Sequence, residues 1–125
     1  MPWEVVLLDE VADWYEALVT NEPRTAELVG AAFDLLEEHG PSLGRPLVDR
    51  VTGSKLANLK ELRPGSSGRS EIRIRFAFDP NREAVLLVAG DKAGAWSRWY
   101  AENIPLAERR FGAWLEELDR GGKDD

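Results

Sequence analysis

Hydrophobic and polar positions repeat along this chain with two different periods, and the switches between them mark its elements. Trp3–Leu8 is mostly apolar and β-branched, with Val5 and Leu7 on one face, and predicts a short strand. Asp9 is placed to cap a following helix, in which Val11, Trp14, Tyr15 and Leu18 fall at i, i+3, i+4 and i+7. That helix is expected to end near Thr20. Asn21-Glu22-Pro23 starts a second helix, with proline tolerated in the first turn and an acid near its positive end. Leu28, Ala32, Leu35 and Leu36 line its buried face, and His39-Gly40-Pro41 stops it.

The period then changes. Pro41–Gly53 has no periodicity, two prolines and two glycines, and is expected to be an irregular crossing segment. Leu56–Arg63 predicts a strand and Pro64-Gly65-Ser66-Ser67-Gly68 a turn. Ser70–Phe78 predicts the next strand, joined through Asp79-Pro80-Asn81 to a strand over Ala84–Lys92. Hairpin connections make these three antiparallel. Trp96–Glu102 looks like a short helix. Pro105 then suits the start of a terminal helix with Ala107, Phe111, Trp114, Leu115 and Leu118 on its apolar side. The order β-α-α-β-β-β-α predicts an α+β domain over residues 1–120. In it a mostly antiparallel sheet is packed on one face by an N-terminal helical hairpin and a C-terminal helix, and residues 121–125 form a frayed acidic tail.

The strand at Glu71–Phe78 carries the clearest chemical signal. Ile72, Ile74, Phe76 and Phe78 share one face, which must lie on the core. Arg73 and Arg75 share the other, roughly 7 Å apart by the rise of an extended chain. On the preceding strand Arg63 and Glu61 have one parity and Lys60 the other, so Arg63 can join the arginine face with Glu61 as its ion-pair partner. Guanidinium groups on a rigid strand make a preorganised phosphate site. An exposed sheet face with cross-strand Arg–Glu pairs explains the same pattern without any ligand.

Charge adds a second signal. The chain of 125 residues has a net charge of −7. Alone, that argues against a general nucleic-acid binder. Yet Lys55–Arg75 holds six basic residues against two acidic ones, so this stretch is +4 and the remainder −11. There is no cysteine, and no His/Cys/Asp/Glu cluster has metal-ligand spacing, so no metal or cofactor is expected. No basic-then-apolar leader is present and the longest apolar runs are strand-sized, which predicts a cytoplasmic protein without a membrane span. His39, the lone histidine, is read as a helix-end residue. Asp91-Lys92 lies where a strand simply ends and also where sites often sit. Trp96, Trp99 and Tyr100, with Arg98 among them, could stack on unpaired bases or could pack inward. Trp99 is assigned to the core and Tyr100 is left open.

Taken together, Leu59-Lys60-Glu61-Leu62-Arg63, Arg73-Ile74-Arg75-Phe76-Ala77-Phe78-Asp79-Pro80, Gly90-Asp91-Lys92 and Trp96-Ser97-Arg98-Trp99-Tyr100 occur in a familiar order. With His39-Gly40-Pro41 ahead of Gly44-Arg45-Pro46, the chain resembles the phage-type HigB branch of the RelE/ParE toxins from about Trp3 to Leu118. The resemblance implies a metal-independent endoribonuclease that cuts messenger RNA on the ribosome and is neutralised by a helix-turn-helix antitoxin. It implies that Arg63, Arg73 and Arg75 hold the phosphate and that Lys60 or Lys92 adds charge. Tyr100 or Asp91 then assists proton transfer, and Lys55, Arg69, Arg98 and Trp96 contact RNA. No small-molecule ligand is expected. The alternatives are a ParE-like inhibitor of DNA gyrase, or a decayed toxin that only binds its antitoxin. The acidic charge departs from these usually basic toxins.

Overall fold

The computed structural model describes residues 2–65, 68, 70–93 and 96–124, with the side chains of Trp96, Ser97, Arg98, Tyr100 and residues 122–124 outside that description. The elements run β1 (Glu4–Leu7), α1 (Asp9–Asn21), α2 (Pro23–His39), a 3-10 turn (Gly40–Ser42), β2 (Val48–Arg50), β3 (Lys60–Leu62), β4 (Ile72–Phe78), β5 (Glu83–Asp91) and α3 (Trp96–Asp124). The predicted α+β class holds. The sheet has the order β1-β5-β4-β3-β2. β2 to β5 pair antiparallel, while β1 lies parallel to β5, carried there by the helical hairpin.

Four expectations are corrected. The segment Pro41–Gly53 contains a strand, β2, because Val48-Asp49-Arg50 pairs with Leu62-Glu61-Lys60 across the edge. The predicted strand Leu56–Arg63 shortens to three residues. Its first part turns instead, with Leu59 N–H donating to Leu56 O at 3.4 Å. The two C-terminal helices are one: α3 runs through Pro105 without a break. Proline removes one intrahelical bond, and the carbonyl it leaves without that partner belongs to Ala101, an exposed residue. Asp9 does not cap α1. It opens the helix as its first residue, after Leu8.

The sheet is also covered on both faces, not one. Val11, Leu18, Val29 and Leu36 of the hairpin pack with Ile72, Ile74 and Phe76 on the first face. Trp99, Ala107 and Phe111 of α3 pack with Ala77, Val85 and Leu87 on the second. β4 alternates apolar and charged residues, so the second face still buries charge beneath α3. A bulge helps seat this helix. Arg75 pairs Val88 and Phe76 pairs Leu86, which leaves Leu87 without a partner on β4. Its carbonyl accepts a 2.7 Å hydrogen bond from Arg110 Nη1 of α3.

Two points fix the ends of the sheet. Gly40 has φ +53°, and a Cβ there would lie 2.3 Å from the Trp3 ring, so only glycine lets β1 begin under the end of α2. At the β4–β5 turn, Asp79 accepts from the N–H groups of Asn81 and Glu83 through Oδ1 and from Trp114 Nε1 through Oδ2. Burial pushes the Glu83 carboxyl up to about 7, helped by its hydrogen bond to Asp79 and the nearby charges of Asp79 and Glu4. The folded state therefore keeps a proton between about pH 4.5 and 7 that the unfolded chain releases, and stability falls as pH rises through that window. Glu83→Gln imitates the protonated acid at every pH. Its melting temperature is expected to exceed that of the parent at pH 8 and to match it near pH 4, which thermal unfolding at the two pH values will check.

Among the described residues, no helix is long and apolar enough to cross a membrane.

Candidate functional site

Strand register places one charged row under α3. Asp49 of β2 lies opposite Glu61 of β3, and Glu61 lies opposite Arg75 of β4. Directly opposed side chains on one face are within reach of each other. The Glu61 and Arg75 side chains are each 1% exposed and meet at 2.7 Å, Arg75 Nη1 to Glu61 Oε2. The second oxygen of Glu61 faces the neighbouring positions two residues away. Arg63 Nε donates to Oε1 at 3.0 Å, and Arg73 Nε approaches it at 3.6 Å. Arg63 also reaches Asp49 Oδ2 at 3.4 Å, and the exposed Arg45 reaches the same oxygen at 3.7 Å. One buried carboxylate thus gathers three guanidinium groups.

These three are not equivalent. Arg75 is buried, its side chain only 1% exposed. Arg73 is 19% exposed and donates from Nη1 to Ile72 O at 2.7 Å, and Arg63 is 33% exposed. The expectation that Arg73 and Arg75 project together from an open face is corrected, since α3 covers that face and leaves only Arg63 and Arg73 at its margin. Buried ions need excellent geometry and added hydrogen bonds to offset their desolvation. Here the buried pair sets the position of the outer two arginines.

A cleft of about 650 Å³ opens beside the row, lined by Asp49, Arg50, Val51, Thr52, Glu61, Arg63, Arg75 and Ile104. Its second wall is the loop after β2. Val51 N–H donates to Leu59 O, and Glu108 of α3 accepts from Ser54 Oγ and from the Lys55 N–H. The Lys55 N–H first, then the Ser54 hydroxyl, hold the Glu108 carboxyl below its ordinary range. The cleft combines guanidinium donors, two carboxylates and the apolar surfaces of Val51 and Ile104. Such a lining suits an anion attached to a flat or apolar group. Among the described residues, no group of three or more His, Cys, Asp or Glu could hold a metal ion.

The remaining predicted residues that the structure describes do not line it. Lys60 pairs with Phe76, on the hairpin face of β3. Lys92 is buried at the end of β5, its N–H donating to Glu71 O at 3.0 Å. Asp91 Oδ1 accepts from the N–H groups of Glu71 and Ala93, each at 2.9 Å, and so ties the start of β4 to the end of β5. Lys55 is exposed on the loop pinned by Glu108. Arg69 lies outside the described residues, as do the side chains of Trp96, Arg98 and Tyr100. Trp99 is core, packed so closely on Gly90 that a Cβ there would lie 2.7 Å from its ring. His39 is exposed at the end of α2. Sequence reasoning missed Asp49, Arg50, Val51, Thr52 and Ile104. For Asp49 and Arg50 the only signal was the three-residue alternation Val48-Asp49-Arg50 inside a segment with two prolines and two glycines, and Val51, Thr52 and Ile104 had none.

Residues 16–112 match the family described as phage derived protein Gp49-like. Two curated relatives come from Mycobacterium tuberculosis (strain ATCC 25618 / H37Rv). One, named "Putative toxin HigB2", is 51% identical over 112 residues, covering 90% of this chain and 54% of the relative. The other, named "Putative toxin HigB3", is 52% identical over 118 residues, covering 94% of this chain and 98% of the relative. The chain thus spans about half the length of the first and nearly all of the second. No solved structure matches it significantly.

Proposed function

Since the chain belongs to the Gp49-like family of phage-derived proteins, we propose that it is the toxin of a type II toxin–antitoxin pair and a ribosome-dependent messenger-RNA endoribonuclease. This reading includes membership of the RelE/ParE superfamily and neutralisation by a helix-turn-helix antitoxin. The observation that carries it is a nucleotide-sized cleft lined by Arg63, Arg75 and the buried Glu61, with Arg73 meeting the same Glu61 carboxylate.

In the proposed reaction the ribose 2′-oxygen bonds to the adjacent phosphorus and loses its proton. The bond from phosphorus to the 5′-oxygen breaks, and that oxygen gains a proton. The products are a 2′,3′-cyclic phosphate and a 5′-hydroxyl. Negative charge grows on the non-bridging oxygens as the 2′-oxygen attacks, and fixed guanidinium groups stabilise it without reorganising. Arg63 and Arg73 supply those donors, while Arg75 acts from behind by fixing Glu61. Tyr100 or Asp91 is the proposed proton carrier, and Lys60 or Lys92 adds positive charge.

One observation favours a second reading. All three arginines already meet Glu61, and Arg63 also meets Asp49, so phosphate must compete with two carboxylates. A protein that only binds its antitoxin, or that poisons gyrase, needs no such competition. Purified protein added to translating ribosomes separates the readings. Message fragments ending in 2′,3′-cyclic phosphate are expected. Intact message with gyrase-linked DNA breaks points to the gyrase alternative, and intact message with normal growth points to a binding-only protein.

A further inference from the structure

At the edge of the sheet farthest from the cleft, β1 is an outer strand paired only with β5. The Glu4 N–H donates to Arg82 O and the Leu8 N–H to Leu86 O. Alternate residues of a strand direct their main-chain groups to the same side. The N–H and C=O groups of Val5 and Leu7 therefore face the open edge. One end of this edge is closed by α2, where the Trp3 N–H donates to Glu37 O at 2.9 Å. Beyond that bond α2 and β1 part, leaving a groove of about 520 Å³ with Val5 and Leu7 on one side. β1 contains no proline, lysine or bulge, the usual devices that block strand addition.

The opposite wall of the groove is acidic. Glu27, Asp34 and Glu37 line it from α2, and among the described residues no basic one does. Glu27 and Asp34 lie two helical turns apart, about 10 Å along one side of the helix. Between them Gly30 lies against the Tyr15 hydroxyl, which a Cβ there would approach to 3.0 Å.

We propose that this groove docks an extended segment of a second protein chain, bearing lysine or arginine, which joins the sheet as a sixth strand beside β1. Main-chain hydrogen bonds to Val5 and Leu7 supply affinity, and the carboxylates of α2 select a basic segment. The site is separate from the cleft and does not depend on what the cleft binds or cuts.

The test uses the full chain and three synthetic peptides of about eight residues, a length that spans β1 and the groove. One alternates valine with lysine, one alternates valine with glutamate, and one is the lysine peptide with a central proline. Saturable binding of the lysine peptide is expected, with slowed amide exchange at Val5 and Leu7. The glutamate and proline peptides are expected to bind at least about ten-fold more weakly. Glu27→Lys with Asp34→Lys, both at exposed helix positions, is expected to invert the preference between the lysine and glutamate peptides. The proposal is overturned if the lysine peptide does not bind, if it binds without protecting Val5 and Leu7, or if the double variant leaves its affinity unchanged. Each readout is indifferent to RNA cleavage, so failure here and failure of the nuclease reading are distinguishable.

Discussion

Glu61→Ala is expected to destabilise the fold by about 3–5 kcal/mol, the cost of leaving one member of a buried ion pair without its partner. Arg75 cannot escape to water, because its side chain is 1% exposed and lies under α3. It also cannot lose its charge, since guanidinium stays protonated at any working pH. The variant further removes the acceptor shared by Arg63 and Arg73, so it releases both of these guanidinium groups at once. For a domain of this size the loss corresponds to a fall in melting temperature on the order of 10–20 °C. Glu61→Gln keeps the shape and one oxygen acceptor, and is expected to be destabilised less than Glu61→Ala. Combining Glu61→Ala with Arg75→Met removes both charges and is expected to recover much of the loss. Urea denaturation of these proteins together with Arg75→Met alone gives the coupling directly. A Glu61→Ala protein as stable as the parent would show that the pair does not organise the row.

How far this row was legible in the sequence depends on which neighbour each residue needed. Ile72, Ile74 and Phe76 were assigned to the core by period two alone, and Arg73 and Arg75 to the opposite side, because parity is a local property. Burial of that opposite side is not local. It requires α3 to return over the sheet, and nothing within Glu71–Phe78 reports that. Arg75 next to Arg73 therefore looked exposed, although one lies beneath a helix and the other at its margin. The same reason hid β2, whose three residues become a strand only through pairing with Lys60–Leu62. Glu61 was legible as an arginine partner because it shares parity with Arg63. That it is buried, and shared by three arginines, follows from register, which turn residues and parity did not fix. The helical hairpin, by contrast, was read almost to its ends, since proline at Pro23 and glycine at Gly40 mark it in the chain itself.

The difference between marginal and buried arginines yields the second large effect. Arg63→Ala or Arg73→Ala is expected to lower ribosome-dependent cleavage by about 10²–10³-fold, the usual consequence of removing one preorganised donor to a developing oxyanion. Both proteins should stay folded, because the Glu61–Arg75 pair is untouched, and a stability loss of about 1–2 kcal/mol is expected from the lost charge-assisted contact. Lysine at either position should recover little activity. A single ammonium cannot present the two parallel N–H groups that grip a phosphate while another face of the same group meets a carboxylate. Arg75→Lys should behave differently. It retains the buried charge beside Glu61 but loses the geometry that aims Glu61 at its neighbours, so stability and cleavage should fall together. Paired measurements of single-turnover cleavage and denaturation midpoint for all three positions check this division. If Arg75→Lys lost activity at full stability while Arg63→Ala and Arg73→Ala remained active, the phosphate would have to meet the inner arginine.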